Sequence, residues 1–233
     1  YNVAVGDEAG TAITTGDSNI AIGFSALLSN ATADHNLAIG FKAGEFITTG
    51  EGNTHTGYLA GRGITGAKST GDYNTTYGRS AGTALQGAAT LNTLIGGLAG
   101  DSVTTGSYNT AVGSLAGDSI TTANSNVAVG YSALSTDTLG AKNVAVGVSA
   151  LLSQNFTTAT DSYNTGVGHN AGKLITTGVQ NVLIGGLAGD ALTDADYNVA
   201  IGIEALSADT LGSGSTAIGR NALSTQNFTT ATT

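Results

Sequence analysis

The chain has no cysteine, proline, methionine or tryptophan, and only seven Lys and Arg among its 233 residues. Without cysteine there is neither a disulfide scaffold nor a thiolate metal site, and the three histidines, His35, His55 and His169, are scattered far apart. Charged residues are 10% of the chain, against roughly a quarter in ordinary soluble domains, which excludes a coiled coil. Seven cations against sixteen carboxylates leave a net charge of −9. A protein that reads a nucleic-acid backbone needs the opposite sign. No apolar run reaches the roughly 18 residues of a membrane-spanning helix, and no basic-then-apolar leader opens the sequence, so neither a span nor a signal peptide is expected here. The missing Met and the start at Tyr1 point to a piece of a longer chain.

What is present is repetition. Asn2-Val3-Ala4-Val5-Gly6 returns as Asn19-Ile20-Ala21-Ile22-Gly23 and as Asn36-Leu37-Ala38-Ile39-Gly40, and the series runs on to Gly219. The glycines that close the motif are mostly 17 residues apart, with one interval of 18 and two of 21, so thirteen units fill residues 1–233 as a single array. The longer units fall near 61–78 and 151–168, and another long unit is cut off at 233. Such a glycine meets a backbone demand, either positive φ or the close approach of a neighbouring coil. Three residues after each stands an alanine, from Ala9 to Ala222, as close coil-on-coil packing would select.

Asn opens twelve motifs: Asn2, Asn19, Asn36, Asn53, Asn74, Asn92, Asn109, Asn126, Asn143, Asn164, Asn181 and Asn198, with Ser215 in the thirteenth. Stacked in register, their amides form a hydrogen-bonded ladder. A plainer reading makes them turn formers that tolerate the left-handed conformation. Helical periodicity is absent, and β-branched residues between Gly-, Asn- and Thr-rich turns favour short strands, so the fold expected is an all-β parallel β-solenoid or β-roll.

Two further positions vary together. Four residues after the marker glycine stands Gly in eight units and Leu in five (Leu27, Leu134, Leu151, Leu206, Leu223). Three residues later the Gly units carry Ile13, Ile47, Ile64, Leu85, Val103, Ile120, Ile175 and Leu192, whereas the Leu units carry Asn30, Asp137, Gln154, Asp209 and Gln226. One core void per coil, filled from one side or the other, accounts for the alternation. The strands also look apolar on both faces. Strands of that kind are covered on both sides, and the small Ala4–Ala21–Ala38 row is the face expected to meet a partner chain.

The recurring Asn-x-Ala-Val/Ile-Gly motif with its downstream Ala resembles the head repeats of trimeric autotransporter adhesins and similar repeats of phage tail fibres. The resemblance covers essentially the whole chain, although the adhesin repeats are usually a few residues shorter. It implies a left-handed β-roll, a homotrimer, an extracellular, cell-surface or virion location, attachment to a surface glycan or receptor, and no catalysis. A longer period reinforces the array: Leu134–Gly140 returns as Leu206–Gly212, and Gln154–Thr160 as Gln226–Thr232.

Candidate sites are few. Tyr73, Tyr108, Tyr163 and Tyr197, like Tyr1, stand immediately before the motif Asn, where they serve either turn packing or glycan stacking. Asp17, Asp34, Asp72 and Asp196, two before the Asn, read as solvated turn carboxylates, with Ca²⁺ held together with turn carbonyls as the alternative. Asn30, Asn74, Asn155 and Asn227 begin Asn-x-Thr sequons for glycosylation. Paired threonines such as Thr14-Thr15 and Thr104-Thr105 raise an ice- or surface-binding solenoid as the alternative function, though alternating side chains leave one outward Thr per coil. No Ser-His-Asp set or carboxylate pair recurs, and an enzyme is not expected.

Overall fold

A computed structural model describes residues 1–228 and Thr230. It is an all-β parallel β-solenoid of about thirteen turns, with no helix among the described residues. The chain falls into two compact units, Tyr1–Thr122 and Ala123–Thr233. The first contributes β1 (Val3–Val5), β2 (Ile20–Ile22), β3 (Leu37–Ile39), β4 (Thr54–Thr56), β5 (Thr75–Tyr77), β6 (Thr93–Ile95) and β7 (Thr110–Val112), paired in parallel in that order. The second contributes β8 (Val127–Val129), β9 (Gly140–Ala141), β10 (Val144–Val146), β11 (Thr160–Asp161), β12 (Thr165–Val167), β13 (Val182–Ile184), β14 (Val199–Ile201) and β15 (Thr216–Ile218). Here β8, β10, β12, β13, β14 and β15 stack in order, and β9 pairs with β11.

Each main strand ends one residue before its marker glycine, and both backbone demands apply there. Gly23 has φ +130°, and a Cβ added to it would lie 2.4 Å from the carbonyl oxygen of Gly40, its counterpart one coil on. The coil turns at two further left-handed positions after the glycine, as at Ser25 (φ 51°) and Leu27 (φ 49°), and at a third just before the next Asn, as at His35 (φ 59°). The left-handed residue is thus the neighbour of the motif Asn and not the Asn itself, which frees the amide for other work.

The middle residue of each strand points into the roll. Ala21, Ala38, Ala111, Ala128, Ala145 and Ala200 are buried, as are Leu94 and Leu183 at the same place. This corrects the expectation that the Ala row meets a partner. The row is small because the returning half of the same coil packs against it: a Cβ on Gly10 would lie 3.7 Å from Ala4 Cβ and 3.0 Å from Ile13 Cδ1. The outward rows are the flanking ones, Val3, Ile20 and Leu37 with Val5, Ile22 and Ile39, which are half-buried or exposed.

The single void per coil is visible at the glycines. A Cβ on Gly44, Gly117 or Gly189 would come within 2.9–3.0 Å of the terminal methyl of Ile47, Ile120 or Leu192. In the other coils Leu27, Leu134, Leu151 and Leu206 fill the space and are fully buried. Two coils depart from the expectation: the last, where Leu223 is exposed, and the one that contains Gly61. Beside Gly61 the space is filled by the His55 ring, 2.0 Å from where a Cβ would stand, and Ile64 lies 39% exposed on the surface. The first long coil spends its extra residues there, in a turn in which Ala67 N–H donates to Ile64 O (3.0 Å). The second spends them on β11 and on burying Phe156.

Candidate functional site

The Asn residues build the longest polar feature of the fold. Each Oδ1 accepts the backbone N–H of its counterpart one coil on, as in Asn36 N–H to Asn19 (2.9 Å), Asn53 N–H to Asn36 (2.9 Å) and Asn198 N–H to Asn181 (3.0 Å). Most of the Nδ2 groups donate to a carbonyl of the following turn, as from Asn2 to Gly16 (2.8 Å), Asn92 to Gly106 (2.9 Å), Asn126 to Gly140 (2.9 Å) and Asn164 to Gly178 (2.7 Å). Direct amide-to-amide contacts join Asn74 to Asn53 (3.1 Å), Asn109 to Asn92 (3.2 Å) and Asn143 to Asn126 (3.2 Å). The rungs are therefore mainly side chain to backbone. They satisfy peptide groups at corners where no strand partner exists, which is what burial requires.

A second, unforeseen ladder runs beside it. Asp34 Oδ1 accepts Asp17 N–H (2.6 Å), Asp72 accepts Glu51 N–H (2.8 Å) and Asp196 accepts Val179 N–H (2.8 Å). These carboxylates bond to the backbone of the preceding coil. Among the described residues no group of three or more His, Asp or Glu side chains is placed to hold a metal ion.

The tyrosines before the Asn are exposed and occupy the left-handed corner: Tyr73 (φ 56°), Tyr108 (φ 61°), Tyr163 (φ 50°) and Tyr197 (φ 60°). No two occupy consecutive coils, so they do not stack on one another. Tyr73 covers Gly52, and Tyr163 accepts a hydrogen bond from Lys142 Nζ (3.0 Å), which also sits 5.0 Å above its ring. The aromatic stack lies elsewhere, on the residue after the marker glycine: Phe24, Phe41 and Tyr58 lie 5.3 and 5.2 Å apart, nearly parallel. Their spacing of 17 residues was readable in the sequence.

Of the four sequon asparagines, Asn30 and Asn74 are buried, with their amides hydrogen-bonded. Asn155 and Asn227 are exposed, and Thr229 of the last sequon lies outside the described residues. The first Thr of each pair spends its hydroxyl on the next coil, as from Thr14 to Ala31 O (2.9 Å) and Thr104 to Thr121 O (3.1 Å).

The polar residues of the Leu-type coils are buried rather than solvated. Asp137 accepts Gly140 N–H (3.0 Å), Phe156 N–H (3.2 Å) and Gln154 Nε2 (2.5 Å), and Gln154 Oε1 accepts Asn164 Nδ2 (2.8 Å). Asp209 repeats the arrangement with Gly212, Phe228 and Gln226. Adjacent Leu-type coils thus carry Asp then Gln, tied to each other and, through Gln154, to the Asn ladder.

The remaining clustered chemistry surrounds the loop of the first long coil. Glu45 is buried and takes Lys42 Nζ (2.8 Å) and Arg62 Nε (2.8 Å), while the Arg62 guanidinium lies 5.4 Å from the Phe46 ring centre. Cavities of about 280 and 530 Å³ flank the loop, and Ile64 lines both. Nearby, burial and the Asp101 charge push the Asp118 carboxyl up, and its Oδ1 has no hydrogen-bond partner among the described residues. No protein-family model, curated protein or solved structure matches this chain.

Proposed function

We propose that this chain is a non-catalytic structural segment of a fibre, an extracellular adhesin or a phage tail fibre, in which three copies associate laterally and present a repetitive surface for attachment. The observation that carries this reading is the outer face of the strands. The residue before the marker glycine is Val5, Ile22, Ile39, Ile95, Val112, Val129, Val146, Val167, Ile184, Ile201 or Ile218 in eleven of thirteen coils, with Thr56 and Tyr77 in the others. Two positions earlier the row is mixed, with aliphatic Val3, Ile20, Leu37, Val127, Val144, Val182 and Val199 and threonine in the other six coils. A parallel sheet with such rows on its outside carries apolar surface that water leaves uncovered, and parallel sheets are ordinarily covered on both faces.

The partner that fits is another copy, because the surface repeats with the coil and an identical repeat meets it in register. The reading agrees with the motif's likeness to adhesin head repeats. The location that follows is the cell surface or the virion. Light scattering tests the assembly: the expected mass is three times the 22.8 kDa of one chain. A stable folded monomer with this face open to water overturns it. Thermal hysteresis at micromolar protein would instead favour an ice-binding solenoid.

A further inference from the structure

The coil closed by Gly57 breaks the rules of its own repeat twice. Its inward strand residue is His55, where eight coils carry Ala, and its Ile64 is outside, where the aliphatic residue of the sister coils is packed beside the glycine. A buried imidazole and an exposed isoleucine both act against stability, and such local disagreements in an otherwise consistent fold mark functional places. The two are one event. The His55 ring fills the space beside Gly61, so Ile64 is displaced to the base of the loop at 62–69, where it separates the two cavities.

Cationic side chains gather around this place although the chain as a whole is acidic. Lys42, Arg62 and Lys68 are three of its seven Lys and Arg. The buried Glu45 pairs with the first two, and together with Phe46 it fixes the guanidinium plane. Among the described residues, no hydrogen bond engages the terminal nitrogens of Arg62, and Lys68 Nζ has neither a hydrogen bond nor an ion pair. Lys68 faces the smaller cavity and Arg62 the larger, where Thr83, Ser102 and Asp101 add hydroxyls and an acceptor.

The geometry points to a binding site for a carboxylated sugar, with the carboxylate on Arg62 or Lys68, the apolar face of the ring on Ile64, and the sugar hydroxyls on Thr83, Ser102 and Asp101. A planar guanidinium held from behind suits a carboxylate. A bare anion makes no use of Ile64 or the hydroxyls, and a neutral sugar makes none of the open edge of the Arg62 guanidinium or of the unpaired Lys68 ammonium. The site follows the marker glycine, on the returning half of the coil, and is not part of the outer strand face. The assignment rests on the adhesive reading above and names its ligand.

The test uses the intact, assembled chain, titrated with 3′-sialyllactose and with trigalacturonate, and with lactose and maltotriose as neutral controls, by calorimetry and saturation-transfer NMR. At least one acidic sugar is expected to bind, at least tenfold more tightly than its neutral control. Lys68→Glu and Ile64→Asn should each weaken that binding at least tenfold without changing the melting temperature. Lys68 has no partner to lose, so its variant keeps the test valid if Ile64→Asn folds poorly. Failure of both acidic sugars to bind, or binding that both variants leave intact, overturns the site. If the chain adheres to cells or surfaces and the variants adhere equally well, the site falls and the adhesive reading stands. If the chain adheres to nothing, both fall.

Discussion

A side chain placed on Gly117 would put its Cβ 2.9 Å from Cδ1 of Ile120, closer than packed carbon atoms approach. The two residues compete for one space, and the coil containing Leu27 and Asn30 shows the opposite solution with the same backbone, since Leu27 has φ 49° and Gly117 has φ 55°. Ile120→Asn alone should empty the space and cost about 2–4 kcal/mol. Gly117→Leu alone should overpack it and cost about 1–3 kcal/mol. The double variant should recover much of the loss, giving a coupling of at least about 1 kcal/mol in urea-unfolding cycles. Simple addition of the two effects would mean that the Gly and Leu coils are independent conformations.

The Asn rungs should be costly to remove singly. Asn92 accepts Asn109 N–H (2.9 Å) and donates to Gly106 O (2.9 Å). Asn92→Ala leaves both backbone groups buried without that partner, at about 1–3 kcal/mol for each group. The expected result is a lowered unfolding free energy together with faster amide exchange at Asn109. A loss below about 1 kcal/mol would show that water replaces the rung.

Assembly and chain stability should separate by face. Val129 points outward and Ala128 inward, where it is 1% exposed. Val129→Lys should dissociate the proposed trimer while leaving the coil folded, whereas Ala128→Leu should overpack the core and lower the melting temperature by whatever route the chain assembles. Light scattering and circular dichroism on the two variants read these outcomes directly. Loss of fold in Val129→Lys would argue that the single coil cannot stand alone.

Much of this architecture is legible because each coil reports on the same geometry. A glycine in thirteen coils and the Gly117/Ile120 alternation expose constraints that one copy would hide. The face of the Ala row was not legible, because period-2 alternation says that two residues oppose each other and not which of them is inside. Small side chains suit an inter-chain seam and a thin core equally well. His55 was unreadable for a different reason: its consequence is the displacement of Ile64, nine residues away, and only the shared void beside Gly61 connects them. The Phe24–Phe41–Tyr58 stack is legible from its spacing of 17 residues alone, whereas the tyrosines before the Asn form no such column because no two stand in consecutive coils.

The buried imidazole predicts an acid-sensitive first unit. Burial lowers the His55 pKa from 6.5 to about 4, and its Nδ1 lies 2.8 Å from Thr76 Oγ1. Between these values the unfolded chain holds a proton that the folded chain does not, so stability rises with pH across that window. The contribution is fully present above about pH 6.5, is lost progressively as pH falls to about 4, and changes no further below that. With about 1.4 kcal/mol for each pKa unit, the loss attributable to His55 is about 3 kcal/mol. Urea unfolding at pH 7 and pH 4.5 measures it, and His55→Leu supplies the control: the aliphatic ring substitute keeps the space beside Gly61 filled and removes the titrating group. The parent should lose appreciably more stability than the variant between the two pH values. Equal losses would place the titrating groups elsewhere, among the carboxylates.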